Sequence, residues 1–271
     1  MQRDISYLAD MARQLRRDVV TMVHLAGDGH PGPALSIADV VTALYFRMLR
    51  IDPGRPDWPE RDRFILSKGH ACPVVYAALA RRGFFPVEAL STLRCLHSIL
   101  QGHPDMHKTP GIDMTSGSLG NGISVGLGMA VAGQYNNLDY TVTVITGDGE
   151  LQEGVVWEAA MAAVHFRAGR LVVFVDHNGL QSVGEIDKVS GLLPIRPKFE
   201  SFGWHCQEIN GHDLGQILDA VEFARQETER PSMILAHTTK GKGVPFMEND
   251  NSWHKRVPTK EQMEAALKAL R

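Results

Sequence analysis

Only three cysteines, Cys72, Cys95 and Cys206, occur in 271 residues, and none sits in a Cys-x-x-Cys pair. An odd, scattered set excludes a disulfide scaffold and a zinc knuckle, and it suits a reducing, cytoplasmic setting. Neither sign of charge dominates. With 28 basic against 31 acidic side chains the formal charge is −3, so the basic footprint of a general nucleic-acid binder is missing. Long apolar runs are missing too: the longest weakly polar stretch, Gly122–Gly133, is glycine-rich and about half the roughly 20 residues of a bilayer-crossing helix. The amino terminus, Met1-Gln2-Arg3-Asp4-Ile5-Ser6, leads into a polar-interleaved helical pattern, and no secretory leader is expected. A 44% hydrophobic, 22% charged composition excludes disorder as the main state.

What the chain does have is histidine, 12 in all, about twice the usual share of a side chain that titrates near neutrality. The first helix is expected over Asp4–Ala26, with Ile5, Leu8, Ala12, Leu15, Val19 and Val23 on one stripe. It stops at the loop Gly27–Pro33, and Ser36 is expected to cap a second helix reaching Leu49. A strand at Arg63–Ser67, helices at Pro73–Arg82 and Val87–Leu100, a polar loop Gln101–Ser118 and a small-residue helix Gly120–Tyr135 follow. The second half alternates strands (Tyr140–Thr146, Leu171–Asp176, His205–Ile209, Ser232–His237) with helices (Val155–Phe166, Lys198–Phe202, Leu214–Glu227), before a last helix at Thr259–Leu270. This is the α/β pattern of a parallel sheet covered by helices on both faces, and residues 1–271 read as one domain.

The chemistry concentrates between Thr146-Gly147-Asp148-Gly149-Glu150 and Asp176-His177-Asn178-Gly179-Leu180. Two parallel strands joined by a crossover helix end on the same sheet edge, so Asp148 and Asn178 are expected to face one crevice. A carboxylate and an amide oxygen are hard ligands for Mg²⁺ or Ca²⁺, and two side chains leave room for a diphosphate to complete the shell. Gly147 and Gly149 let backbone approach phosphate, and the helix that follows offers its first amides. Gly147-x-Gly149-x-x-Gln152 lacks the third glycine of a dinucleotide fingerprint, and Gly126-x-Gly128 follows no strand. The Gly-His pairs at His30, His70 and His103 lack metal-ligand spacing, which leaves no zinc site.

Gly147-Asp148-Gly149 followed by Asn178 resembles the thiamine diphosphate motif, and its surroundings resemble transketolases. The resembling blocks run in family order: Gly29-His30-Pro31-Gly32, Ser67-Lys68-Gly69-His70-Ala71, Gly102-His103-Pro104, Thr115–Ser124, Gly149–Gly154 with Trp157-Glu158-Ala159, Lys240-Gly241-Lys242-Gly243 and Trp253-His254. The resemblance implies a thiamine diphosphate-binding, PP-type fold. It implies that Asp148, Asn178 and the Leu180 carbonyl hold Mg²⁺ (or Ca²⁺). His70, Gly117, Ser118, Leu119, Gly149, Asn178 and Lys240 would contact thiamine diphosphate, with Glu153 in a carboxylate network at a subunit interface. His30 and His103 would face the sugar hydroxyls and the attacked carbonyl, and His254 would close over the reacting carbons. Ser182-Val183-Gly184, Ser116 and Asn121 depart from the family pattern and bear on the shape of the sugar channel.

Single-chain transketolases run to more than twice this length, and their added domains carry the glutamate that activates the aminopyrimidine ring. This sequence stops at Arg271, just past the last matching motif. The resemblance therefore implies the N-terminal subunit of a two-chain transketolase of carbohydrate (pentose phosphate) metabolism, inactive alone. Its companion would be a C-terminal subunit of roughly 300 residues, and the pair would double into a heterotetramer. Family residues that grip the sugar phosphate would lie in that companion, leaving xylulose 5-phosphate, a branched sugar phosphate and a sulfonated sugar as donors. The other readings are an α-subunit of a 2-oxo acid dehydrogenase or decarboxylase, and a non-catalytic subunit that keeps the cofactor fold.

Overall fold

Alternating apolar residues send side chains to both faces of one sheet. In the computed structural model, which describes residues 4–271, the strands are β1 (Arg63–Leu66), β2 (Val142–Gly147) and β3 (Leu171–His177). After a small antiparallel hairpin of β4 (Leu180–Gln181) and β5 (Gly184–Glu185) come β6 (His205–Asn210) and β7 (Ser232–His237). The five longer strands form a parallel sheet in the order β1-β2-β3-β7-β6. Phe64, Leu66, Ile145, Val172, Phe174 and Ile234 enter one core, and Ile65, Val144, Leu171, Val173, Val175 and Leu235 enter the other. That is the period-2 output of pleated strands buried on both sides.

Helices α1 (Ile5–Ala26), α2 (Pro31–Ser36), α3 (Ala38–Ala43) and α4 (Cys72–Arg82) pack into the first core, and α5 (Asn121–Tyr135) and α6 (Gly154–His165) into the second. After a one-turn α7 (Ile186–Val189), α8 (Arg196–Phe202) joins the second core and α9 (Leu214–Gln226) the first, while α10 (Lys260–Ala269) lies on α1. The expected α/β architecture and its parallel sheet are therefore present. Asp4 caps α1 by accepting from the Tyr7 amide at 2.9 Å, and Gly27 ends it in the left-handed region. The expected stripe is buried from Leu8 onward, whereas Ile5 is 38% exposed. Met1–Arg3, where the reading of the amino terminus begins, lie outside the described residues. No described helix is long and apolar enough to cross a membrane.

Three local expectations are corrected. Ser36 ends α2 instead of capping a helix: its one hydroxyl proton is within reach of the Asp176 carboxylate (2.7 Å) and of Pro33 O (3.0 Å), and the chain reaches Leu49 through α3 and a π-type turn at Leu44–Met48. The Val87–Leu100 segment is a 3₁₀ turn over Val87–Thr92 followed by irregular chain, because Arg94 and His97 take φ of 62° and 65°, which no helix accommodates. The first amides after the glycine turn belong to a 3₁₀ turn over Gly149–Gln152 and not to the helix itself, which starts at Gly154, one residue before the expected Val155, with Glu153 as its N-cap residue.

Three of the four glycines of α5 face inward. A Cβ on Gly122 would lie 2.3 Å from Ser67 Cβ, one on Gly126 2.7 Å from Val144 Cγ2 and one on Gly133 2.9 Å from the Tyr140 ring. Gly128, with nothing within 4 Å, is the exception. Close packing within the chain accounts for most of this glycine-rich stretch.

Candidate active site

The carboxyl ends of β2 and β3 are in register, Gly147 opposite Asp176, so Asp148 and Asn178 emerge side by side beyond the sheet edge. Both line a cleft of about 340 Å³, within the size range of small-molecule sites. Asp148 is 2% exposed. Its Oδ1 accepts from the Gly149 amide (2.8 Å), and its Oδ2 accepts from the Gly179 amide (2.7 Å) and faces His177 Nδ1 (3.1 Å). That bond to Asp148 raises the His177 imidazole above its ordinary value. Asn178 is oriented at both ends: its Nδ2 donates to Asp176 Oδ2 (3.0 Å) and its Oδ1 accepts from the Leu180 amide (3.1 Å). Leu180 O accepts from Lys240 Nζ at 3.3 Å, and the same ammonium donates to Asn251 Oδ1 at 2.7 Å. Burial lowers the Lys240 ammonium to about 8.

Three imidazoles of the same cleft cluster together. The His30 ring centroid is 5.2 Å from that of His70 and 5.6 Å from that of His254, and His70 and His254 are 5.2 Å apart. Sequence places these residues in three separate loops; the fold makes them one group. Burial, with Arg94 adding to it, lowers His30 to about 4, and burial with the Lys240 charge lowers His254 to about 3. His70 is lowered by burial and by Lys68. All three are neutral at neutral pH, each with one N–H and one free lone pair. His30 Nδ1 and His254 Nδ1 are buried with no protein partner, the condition of groups built to meet a ligand.

Most of the expected site residues meet here. Asp148, Asn178, Leu180, Gly149, Lys240, His30, His70, His254, Gly117, Leu119 and Glu153 all line the cleft. Ser118 does not: it is exposed, with its hydroxyl accepting from Asn121 Nδ2 at 2.9 Å at the start of α5. His103 also lies outside the cleft lining, exposed beside Gly117, where a Cβ would come 3.5 Å from the His103 ring. Glu153 stands exposed at the edge, its side chain bonding none of the α6 amides.

Sequence reasoning missed the polar floor of the cleft. Asp176, 1% exposed, accepts from Lys68 Nζ, from the Ser36 hydroxyl (2.7 Å), from the Thr238 hydroxyl and from Asn178. Burial alone would raise its carboxyl, but the Lys68 charge and the hydrogen bonds from Lys68, Thr238 and Ser36 together outweigh that and hold it low. Glu150, 3% exposed, accepts from the Ser67 hydroxyl and from the Gly120 (2.7 Å) and Gly147 (3.0 Å) amides. Burial raises its carboxyl against those bonds. A charge closing the apolar run Leu171–Val175 is the one mark Asp176 leaves in the sequence.

The donor set suits a divalent cation with a diphosphate. A carboxylate, an amide and a carbonyl oxygen, those of Asp148, Asn178 and Leu180, belong to one cleft with the Lys68 and Lys240 ammonium groups, and among the described residues no cluster of three His, Cys, Asp or Glu could hold an ion by itself.

Residues 7–270 match a family profile described as "Transketolase, thiamine diphosphate binding domain". The 6-deoxy-6-sulfo-D-fructose transketolase subunit SqwG of Clostridium sp. (strain MSTE9) is 46% identical over 99% of this chain and 97% of its own length. An apulose-4-phosphate transketolase subunit of Phocaeicola vulgatus is 41% identical over 94% of this chain and 90% of its own. Among solved structures, transketolase from Campylobacter jejuni superposes with a TM-score of 0.93 at 31% identity, covering 98% of this chain and 43% of that one. The chain thus spans less than half of that solved transketolase.

Proposed function

The chain belongs to the transketolase family, of which it carries the thiamine diphosphate-binding domain, and we propose that it is the diphosphate-binding subunit of a two-chain transketolase. It acts as one domain in the cytoplasm, moving a two-carbon ketol unit from a phosphorylated or sulfonated ketose to an aldose. The observation that carries this reading is one cleft lined both by Asp148, Asn178 and Lys240 and by the His30–His70–His254 cluster. The near-complete coverage of relatives that are themselves named as subunits supports a separate companion. That companion is the C-terminal transketolase subunit, of roughly 300 residues, and the assembly is a heterotetramer.

In this reading Asp148, Asn178 and the Leu180 carbonyl hold Mg²⁺, or Ca²⁺, against the diphosphate, whose remaining charge Lys240 meets. His70, Gly117, Leu119 and Gly149 contact the rest of the cofactor, and Glu153 reaches the companion subunit. Thiamine diphosphate supplies the nucleophilic carbon and the electron sink that make carbon–carbon cleavage accessible. The histidines manage protons. Being neutral, His30 and His254 donate N–H bonds to the donor's carbonyl oxygen as negative charge develops there, and accept from its hydroxyls. His103, at the outer edge, orients the sugar.

Co-purification from the source with Mg²⁺ and thiamine diphosphate, followed by a ketol-transfer assay, tests this. A stoichiometric companion and transfer activity in the complex alone are expected. Ketol transfer at a normal rate by the isolated chain would sink the two-chain reading, and turnover of a 2-oxo acid with no ketose would replace the transketolase one.

A further inference from the structure

Lys240 carries its charge on a flexible four-carbon stem, so its backbone anchor decides where the ammonium can act. That anchor is unusually fastened. The Lys240 carbonyl accepts from the Asn249 amide (2.9 Å) and the Gly241 amide donates to Gly32 O (3.1 Å). Gly241 has φ +79°, and a Cβ there would lie 2.2 Å from Met247 O. On either side two side chains hold the loop: the Thr239 amide donates to His212 Nε2 (2.8 Å), and Arg16 Nε donates to Lys242 O (3.0 Å).

Both of these side chains lead back to one buried carboxylate. Asp39 accepts from Arg16 Nη1 (3.0 Å) and Nη2 (2.6 Å), and its Oδ2 faces His212 Nδ1 at 2.8 Å. Because Nε2 accepts an amide proton, the imidazole proton resides on Nδ1 and is donated to Asp39. Asp39 therefore selects the tautomer whose lone pair meets Thr239. His212 lies outside the cleft lining and touches none of the residues assigned to the metal.

We propose that His212 is a positioning residue for Lys240: oriented by Asp39, it ties down the Thr239 amide and so sets where the Lys240 ammonium meets the diphosphate. The inference rests on reading Lys240 as a diphosphate contact.

The test is a double-mutant cycle on thiamine diphosphate affinity, measured by calorimetry with Mg²⁺ in the full chain bound to its companion. His212→Ala should weaken binding about tenfold, the scale of one lost orienting hydrogen bond. With saturating cofactor, kcat should stay within about twofold. In a Lys240→Met background the same change should cost nothing further. Wild-type affinity in His212→Ala, or the same factor lost in both backgrounds, overturns the proposal, since His212 would then be structural only. Unchanged affinity in Lys240→Met instead overturns the reading of Lys240, and this inference with it. Should His212→Ala fail to fold, His212→Phe, which keeps a ring but offers no acceptor to the Thr239 amide, runs the same cycle and is judged by the same outcomes.

Discussion

Lys68 and Asp176 form an ion pair whose side chains are 2% and 0% exposed, joining the loop after β1 to the end of β3. The same Asp176 carboxylate holds Asn178 by its amide, so an ion pair beneath the cleft orients a residue at its surface. Lys68→Met leaves a buried carboxylate without its cation and should cost roughly 3–5 kcal/mol. Denaturant unfolding of the purified chain measures it, and a loss under about 1 kcal/mol would contradict the role assigned to the pair.

Asp148→Ala removes the one carboxylate among the proposed metal donors. Thiamine diphosphate affinity in the assembled enzyme should fall on the order of 100-fold with Mg²⁺ present and become insensitive to a chelator. Retained Mg²⁺ dependence would show that the ion is held elsewhere.

Two glycines of α5 should respond with opposite signs. Gly122→Ala drives a methyl into Ser67, which donates to Glu150, and should destabilise by about 1–3 kcal/mol. Gly128 has open space around its missing Cβ, so Gly128→Ala should stabilise the isolated chain by up to about 1 kcal/mol through helix propensity. Thermal unfolding of the two variants side by side decides it.

Acid should weaken the fold through the histidine cluster. His30 falls from the ordinary 6.5 to about 4 and His254 to about 3. Between the ordinary and the folded values the unfolded chain binds more protons, so stability drops as pH falls through that interval. Urea midpoints at pH 7 and pH 5 should differ in that direction for the wild type, and less for His254→Asn. An equal pH response in the two proteins would place the acid sensitivity outside the cluster.

The strands and the Gly-Asp-Gly turn at the end of β2 were legible from sequence because they are local. The apolar run Leu171–Val175 and the triplet Gly147-Asp148-Gly149 declare themselves within a few residues, and a parallel crossover then leaves Asp148 and Asn178 no choice but one sheet edge. Segments whose shape depends on a distant partner were misread. Val87–Leu100 has helical spacing, but the Arg94 side chain is drawn to Asp28 and Gly102, and Arg94 itself takes a positive φ.

By itself the sequence determined the alternation of elements, the burial of the sheet on both faces and the oxygen donors at the ends of β2 and β3, since periodicity and turn chemistry are properties of neighbouring residues. Tertiary structure alone decided that His30, His70 and His254 share one wall, that Lys68 neutralises Asp176 and that His212 grips the loop of Lys240. Each of those contacts joins chain segments far apart in order, where a hydrogen bond or an ion pair depends on distance in space and leaves no period in the sequence.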